Sequence, residues 1–330
     1  MWRYRDALPM QPGMTPVTLG EGITPLVETR FSGRHIHLKM DHLQPTGSFK
    51  DRGASLMISR VRSLGIDSVV EDSSGNAGAA VAAYCARAGV KCSIFVPQGT
   101  PEAKCAQIKA MGAHLVRVPG SREKAAAEVR KAAKKTYYAG HCVDPFFIHG
   151  VKTVAYEICE QLEWRSPAEV VIPVGNGTLL LGLSLGLGEL VAAGRIHRMP
   201  RIVAFQSSAC NPLARAFNEG LREPMAVDPA PSIAEGIASG RPIQGRKILS
   251  AIAESGGEIL DVPEAMILAA WKAAAAGGIF VEPTAAVALA GLTLLPKAES
   301  RNGERVVILT GHGLKSRFPD HTAESTIPER

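Results

Sequence analysis

Short apolar runs rich in β-branched residues alternate along this chain with stretches in which apolar positions recur every three or four residues. The runs predict strands at "HIHLKM" from His35, "SVVE" from Ser68, "KCSIFV" from Lys91, "HLVRV" from His114, "EVVIPV" from Glu169, "RIVAF" from Arg201 and "RVVILT" from Arg305. Between them, Ala54, Met57, Ile58, Val61 and Leu64 form one helical stripe, and Val151, Val154, Ala155, Ile158, Cys159 and Leu162 form another. "AGAAVAAYCARAG" from Ala77 is apolar all round, which predicts a helix covered on every side. Such alternation predicts an α/β chain whose open, mostly parallel sheets are covered by helices on both faces. No internal repeat is present, and "DPFF" from Asp144 interrupts the pattern as a boundary between two lobes.

Composition narrows the class. With 330 residues, 46% hydrophobic and 21% charged, the chain can bury a large core. Only the polar end from Ser316 has a composition suited to disorder. The net charge of +6 is spread along the sequence, apart from "REKAAAEVRKAAKK" from Arg122. There Ala125, Val129, Ala132 and Ala133 form a stripe, so the lysines read as the solvated face of a helix and not as a nucleic-acid site. A positive balance suits a small anionic ligand instead. The six cysteines, Cys85, Cys92, Cys105, Cys142, Cys159 and Cys210, form no C-x-x-C pair and read as reduced core residues. The first ten residues lack a signal-peptide stretch, and the longest apolar run, "LLLGLSLGLGEL" from Leu179, is too short and glycine-broken to span a bilayer. A cytoplasmic protein without a membrane partner is expected.

Three segments have the composition of a site. "QPTGSFKDRGA" from Gln44 sets Lys50 between a hydroxyl-and-glycine turn and the start of a helix. Burial and the positive helix end lower an amine's pKa toward the reactive range, where it can form an imine. "SSGNAG" from Ser73 lies between a strand and the all-apolar helix, so its N–H groups and Asn76 are expected at the carboxyl edge of a sheet. A dinucleotide loop needs G-x-G-x-x-G and an acidic end to the next strand, yet that strand ends in Pro97. "GNGTL" from Gly175 breaks an apolar strand before another apolar helix; its small residues suit one terminal phosphate, and P-loop spacing is absent. A lysine, an amide loop and a phosphate cradle together are what a pyridoxal phosphate enzyme must supply.

From "MWRYRDALP" and "TLGEGITPL" to the last strand, the sequence resembles the threonine synthase family of the fold-type II pyridoxal phosphate enzymes, which are tryptophan synthase beta-like. "PTGSFKDRG" resembles the family's cofactor-lysine segment and "TGHGLK" from Thr310 its near-C-terminal signature. The resemblance implies that Lys50 forms the internal aldimine with pyridoxal 5'-phosphate and that Asn76 bonds the cofactor's phenolic oxygen. It implies that Gly175, Asn176, Gly177, Thr178 and Leu179 hold the phosphate, that Thr310 faces the pyridine nitrogen, and that Ser73, Ser74, Gly75 and Asn76 hold a substrate carboxylate. It further implies a two-lobed homodimer with a larger cofactor domain (residues 1–60 plus 147–330) and a smaller mobile one (61–146). The reaction implied is conversion of O-phosphohomoserine and water to threonine and phosphate.

Two positions depart from the family. Ala77 stands where threonine synthases place a hydroxyl, and "DPFF" replaces an "NPYR"-like stretch, with Phe147 at the place of an arginine that clamps the substrate phosphate. Losing a guanidinium from a phosphate site costs on the order of two charge-assisted bonds of about 1.5 to 3 kcal/mol each. "SSGN", "GNGTL" and "AEGIASG" from Ala234 resemble the serine and threonine dehydratases of the same fold. A β-eliminase or β-replacement enzyme is therefore the alternative, whether a serine or threonine dehydratase, a diaminopropionate ammonia-lyase or an O-phosphoserine-using synthase. A third reading is a cofactor-binding sensor without catalysis. His35 and His37 share a strand face but have no third ligand at metal spacing. Lys39, Arg52, Lys152 and His312 are further candidates for an anionic substrate group, His312 foremost because it neighbours Thr310.

Overall fold

The computed structural model describes residues 1–296 and 303–318. The polar end from Ser316 lies outside the described residues beyond residue 318.

Two sheets organise the chain. The larger contains β1 (Leu26–Phe31), β2 (Arg34–Lys39), β7 (Glu169–Pro173), β8 (Arg201–Ser207), β9 (Glu258–Val262) and β10 (Arg305–Ile308), in the spatial order β1-β2-β10-β7-β8-β9. Only β1 pairs antiparallel, and it joins β2 through a two-residue hairpin in which Ser32 and Gly33 both take positive φ. The second sheet, ordered β5-β4-β3-β6, is parallel throughout and contains β3 (Ser68–Glu71), β4 (Lys91–Pro97), β5 (His114–Val118) and β6 (Tyr137–Tyr138). All seven expected strands form, while β1, β6 and β9 were not expected.

Eleven α-helices connect the strands among the described residues: α1 (Lys50–Ser63), α2 (Asn76–Ala88), α3 (Glu102–Ala110), α4 (Arg122–Ala132), α5 (Pro145–Val151), α6 (Thr153–Gln161), α7 (Thr178–Ala192), α8 (Pro212–Asn218), α9 (Gly245–Glu254), α10 (Glu264–Ala276) and α11 (Pro283–Gly291). Alternation along the central strands sends side chains to opposite faces. Val170 and Ile172 of β7 join a core with Leu180 and Leu183 of α7, whereas Val171 joins Ala285 to Leu289 of α11 on the other side. Burying each such Val or Leu contributes about 1.5–3 kcal/mol, so both faces of this sheet are strongly covered.

Helix α1 is held tightly where it carries Lys50. Phe147 of α5 seats its ring against Gly53, and Gly150 lies against the Arg52 carbonyl, so any side chain at either glycine would collide. Asp144 caps α5 by accepting from the Phe146 and Phe147 N–H groups at 2.8 and 3.3 Å. "DPFF" is thus a helix start rather than a linker.

Candidate active site

Three strand ends meet around Lys50. β3 leads through residues 72–75 into α2, β7 through residues 174–177 into α7, and β10 into Thr310 and residues 311–315. All are carboxyl ends of parallel strands, the edge at which open α/β sheets take ligands. The turn before α1 is stitched to the third of them: the Phe49 N–H donates to the Thr310 carbonyl at 3.1 Å and the His312 N–H to the Gly47 carbonyl at 2.9 Å.

Lys50 Nζ donates to Thr178 Oγ1 at 2.8 Å and stands 4.7 and 5.6 Å from the ring centres of Phe49 and Phe147. Burial pushes its amine down to about 8, against the opposing pull of Cys142, Glu71 and Glu282. About a tenth of it is then free base at pH 7, a far larger fraction than for an ordinary lysine near 10.4.

The loop before Thr178 is shaped for close approach. A methyl group on Gly175 would lie 2.7 Å from the Ile237 Cα, and Gly177 sits at φ 78°, where an L-residue is strained. Ser239 Oγ donates to Asn176 Oδ1 at 2.8 Å, fastening residues 175–179 to the segment that follows Ala234. Asn176 is half-buried and Leu179 buried.

Asn76 opens α2 and donates through Nδ2 to both carboxyl oxygens of Glu282, at 2.9 and 3.0 Å. Ser73 donates its N–H to Glu71 and accepts from the Gly75 N–H at 3.3 Å, while Ser74 is half-buried and Gly75 exposed. Thr310 is buried, and its hydroxyl has no hydrogen-bond partner among the described residues.

Lys50 and Thr178 thus touch directly, and Thr310 joins them through the backbone. Asn76 reaches the group through Glu282, a residue that sequence reasoning missed. Burial raises the Glu282 carboxyl above its usual range, opposed by the bond from Asn76 and by the charges of Lys315 and Lys50. Its one sequence signal is an acid placed directly before a proline-initiated, apolar helix. Glu71, His141 and Cys142 were missed as well. Three of the four candidate anion-binding residues are engaged elsewhere, because buried cations need partners: Lys39 pairs with Glu157 at 2.9 Å, Arg52 with Asp41 and Glu157 at 2.7 Å each, and Lys152 with Glu189 at 2.8 Å. His312 lies half-buried 5.6 Å from the His42 ring, its Nδ1 accepting from the Leu314 N–H at 3.1 Å.

This donor set fits a phosphorylated aromatic aldehyde. It offers a largely desolvated amine, a glycine cradle that a Cβ would fill, and an unpartnered buried hydroxyl. Residues 17–311 match the family model described as pyridoxal-phosphate dependent enzyme. Among curated relatives, a threonine synthase of Methanocaldococcus jannaschii is 37% identical over 96% of this chain and 80% of its own length. One of Mycobacterium leprae is 36% identical over 98% and 90%. Among solved structures, an L-serine ammonia-lyase from Rhizomucor miehei aligns with a TM-score of 0.77 and 25% identity, covering 88% of this chain and 94% of that one. A bacterial threonine deaminase, from T.th., aligns with a TM-score of 0.74 and 26% identity, covering 88% and 92%. Sequence and architecture agree with the donor set, and the chain belongs to the family of pyridoxal-phosphate dependent enzymes, with a fold-type II architecture.

Proposed function

We propose that the protein is a threonine synthase that converts O-phosphohomoserine and water to threonine and phosphate at Lys50. The observation behind this reading is the 37% identity, over 96% of the chain, with a protein named threonine synthase. When bound, pyridoxal phosphate supplies an electron sink for the charge left when a substrate loses its α-proton. Lys50 holds the cofactor, and its amine, poised near pH 8, takes and returns protons within the cleft. The N–H groups of residues 175–179 hold the phosphate at the start of α7, where helix polarity favours an anion. Thr310 offers its free hydroxyl to the ring nitrogen, Asn76 stands ready for the phenolic oxygen, and residues 73–76 hold the substrate carboxylate. The smaller unit, residues 61–146, moves against the rest as substrate enters, and the protein acts as a cytoplasmic homodimer. Slowed amide exchange across residues 68–118 on adding substrate would support the movement, and sedimentation equilibrium tests the dimer.

The deciding assay is release of inorganic phosphate from O-phosphohomoserine with threonine formed in equal amount. Absence of both from cofactor-saturated protein removes the proposal. One observation favours β-elimination as a second reading. Phe147 is fully buried with its ring 5.6 Å from Lys50 Nζ, and Ala77 is buried too, so apolar groups stand where the family's phosphate contacts are expected. A 2-oxo acid and ammonia from serine or threonine, with no threonine formed, would establish that alternative.

A further inference from the structure

Beside Lys50, three side chains far apart in sequence form a continuous polar array. Glu71, at the end of β3, is fully buried and lies 2.8 Å from His141 Nδ1. The other ring nitrogen of the same histidine, Nε2, lies 3.2 Å from Cys142 Sγ. A sulfur, a base within hydrogen-bond reach, and a third group that orients the base are the parts of an activated thiol nucleophile. The array borders the site: the Phe147 ring is 5.6 Å from Lys50 Nζ and 5.8 Å from the His141 ring. Its loop is also at an opening, since Cys142 keeps 8% exposure, the His141 side chain 12%, and the next residue, Val143, 47%.

We propose that Cys142, His141 and Glu71 form an activated-thiol site in the wall of the Lys50 cleft, which takes small electron-poor alkenes by covalent addition. In that step the sulfur lone pair forms an S–C bond to the β-carbon, the C=C π pair moves to the α-carbon, and the His141 imidazolium gives its proton there. Thioether and neutral imidazole remain, so no oxidant or reductant is needed. The natural source of such an alkene rests on the proposed function, because expelling a leaving group from an amino acid side chain generates one. Activation of the thiol does not rest on it.

The electrostatics agree with this geometry. Burial would lift the Cys142 thiol, but the charge and hydrogen bond of His141, with Lys50 beyond, bring it below its ordinary value. Burial likewise opposes charge on His141, yet Cys142 and Glu71 raise it to about 9 despite Lys50. The other cysteines differ: burial raises Cys105, Cys159 and Cys210, and Cys85 is raised through its contact with Cys92. They serve as internal controls.

The test is competitive alkylation of the purified holoenzyme with limiting acrylamide between pH 6 and 9.5, each cysteine being quantified by peptide mass mapping. Cys142 is expected to react at least about tenfold faster than the other five at pH 7, with a rate midpoint below the ordinary thiol value of about 8.5. His141→Gln and Glu71→Gln are each expected to move that midpoint upward. Should these variants not fold, the ultraviolet thiolate titration of the native protein minus that of Cys142→Ser gives the same midpoint. A Cys142 that alkylates no faster than its companions, or a midpoint unmoved by His141→Gln, overturns the proposal. Labelling does not measure turnover, so these outcomes are independent of the phosphate-release assay.

Discussion

Replacing Arg52 with methionine should remove about 3–5 kcal/mol of stability, because the guanidinium holds two buried carboxylates at once. Its Nε and Nη2 donate to Asp41 at 2.7 and 2.8 Å, its Nη1 and Nη2 to Glu157 at 2.7 Å each, and Nη1 also to Thr153 at 3.2 Å. Arg52 and Asp41 are wholly buried, and Glu157 nearly so. In the Arg52→Met protein Glu157 keeps Lys39 Nζ at 2.9 Å and the Ile23 N–H at 2.9 Å, whereas Asp41 keeps the Thr24 hydroxyl at 2.7 Å. One uncompensated buried negative charge therefore remains, and its desolvation sets the magnitude. Against a total of about 5–15 kcal/mol for a folded domain, the loss is large. Urea unfolding followed by tryptophan fluorescence reads it as a lower midpoint at constant slope. Adding Glu157→Gln to Arg52→Met removes the surplus charge, so the pair should cost less than the sum of the single changes by more than about 1 kcal/mol. Acid adds a second readout. Burial alone would lift the Glu157 carboxyl, but Arg52 and Lys39 hold it well below the carboxylate range. That contribution is present above the unfolded pKa of about 4.3 and is lost as pH falls toward the lower folded value, a loss that Arg52→Met should flatten. A variant within about 1 kcal/mol of wild type, or strictly additive changes, would refute this account of the network.

Other changes test the site itself. Lys50→Ala should leave protein that binds no cofactor covalently, seen as absence of a borohydride-fixed adduct, and lower turnover by about 10³-fold or more. Gly175→Ala drives a methyl group into the Ile237 backbone and should weaken cofactor affinity about 10- to 100-fold by equilibrium dialysis, with little change in the unfolding midpoint. Asp51, pushed up to about 7 by burial while accepting from the Thr46 N–H and hydroxyl, favours its protonated form when folded. Stability from this group is fully present below the unfolded pKa of about 3.9 and lost as pH rises toward 7; Asp51→Asn, which can meet both Thr46 groups, should abolish that slope in urea titrations.

What the sequence revealed follows the range of the interactions. Strands buried on both sides, such as Glu169–Pro173, announce themselves as apolar runs, and all seven so marked are present. Leu26–Phe31 was missed because it is a half-exposed edge strand whose register depends on its partner. The two-residue β6 has no local signal at all. The stripe from Val151 to Leu162 is buried as expected at every position, yet the backbone breaks between α5 and α6 at Lys152, because side-chain period reports a face and not helix continuity. Lys50 and the loops at residues 73–76 and 175–178 were legible because tight turns at strand ends demand glycine, hydroxyl and amide residues locally. Glu282 and the Glu71–His141–Cys142 array were not, since each acts through a partner 70 to 206 residues away.

These unforeseen partners bear on why Lys50 is an amine suited to chemistry. A buried lysine stays charged when a carboxylate bonds it, and two acids lie within electrostatic reach of this one. Both are engaged elsewhere, Glu71 by His141 and Glu282 by Asn76, so that the hydrogen bond from Nζ goes to the neutral hydroxyl of Thr178. Asn76 therefore has a task beyond any contact with cofactor: by bonding both Glu282 oxygens it keeps that acid from turning toward Lys50. Asn76→Ala should release the carboxylate and raise the Lys50 midpoint above about 8 by on the order of one unit. In native apoprotein the rate of cofactor loading should climb about tenfold per pH unit below pH 8 and level off above it. In the variant the same profile should shift to higher pH as a whole, whatever happens to its plateau. A lowered plateau with an unmoved midpoint would mean that Asn76 serves the cofactor alone and that Glu282 has no hold on the lysine.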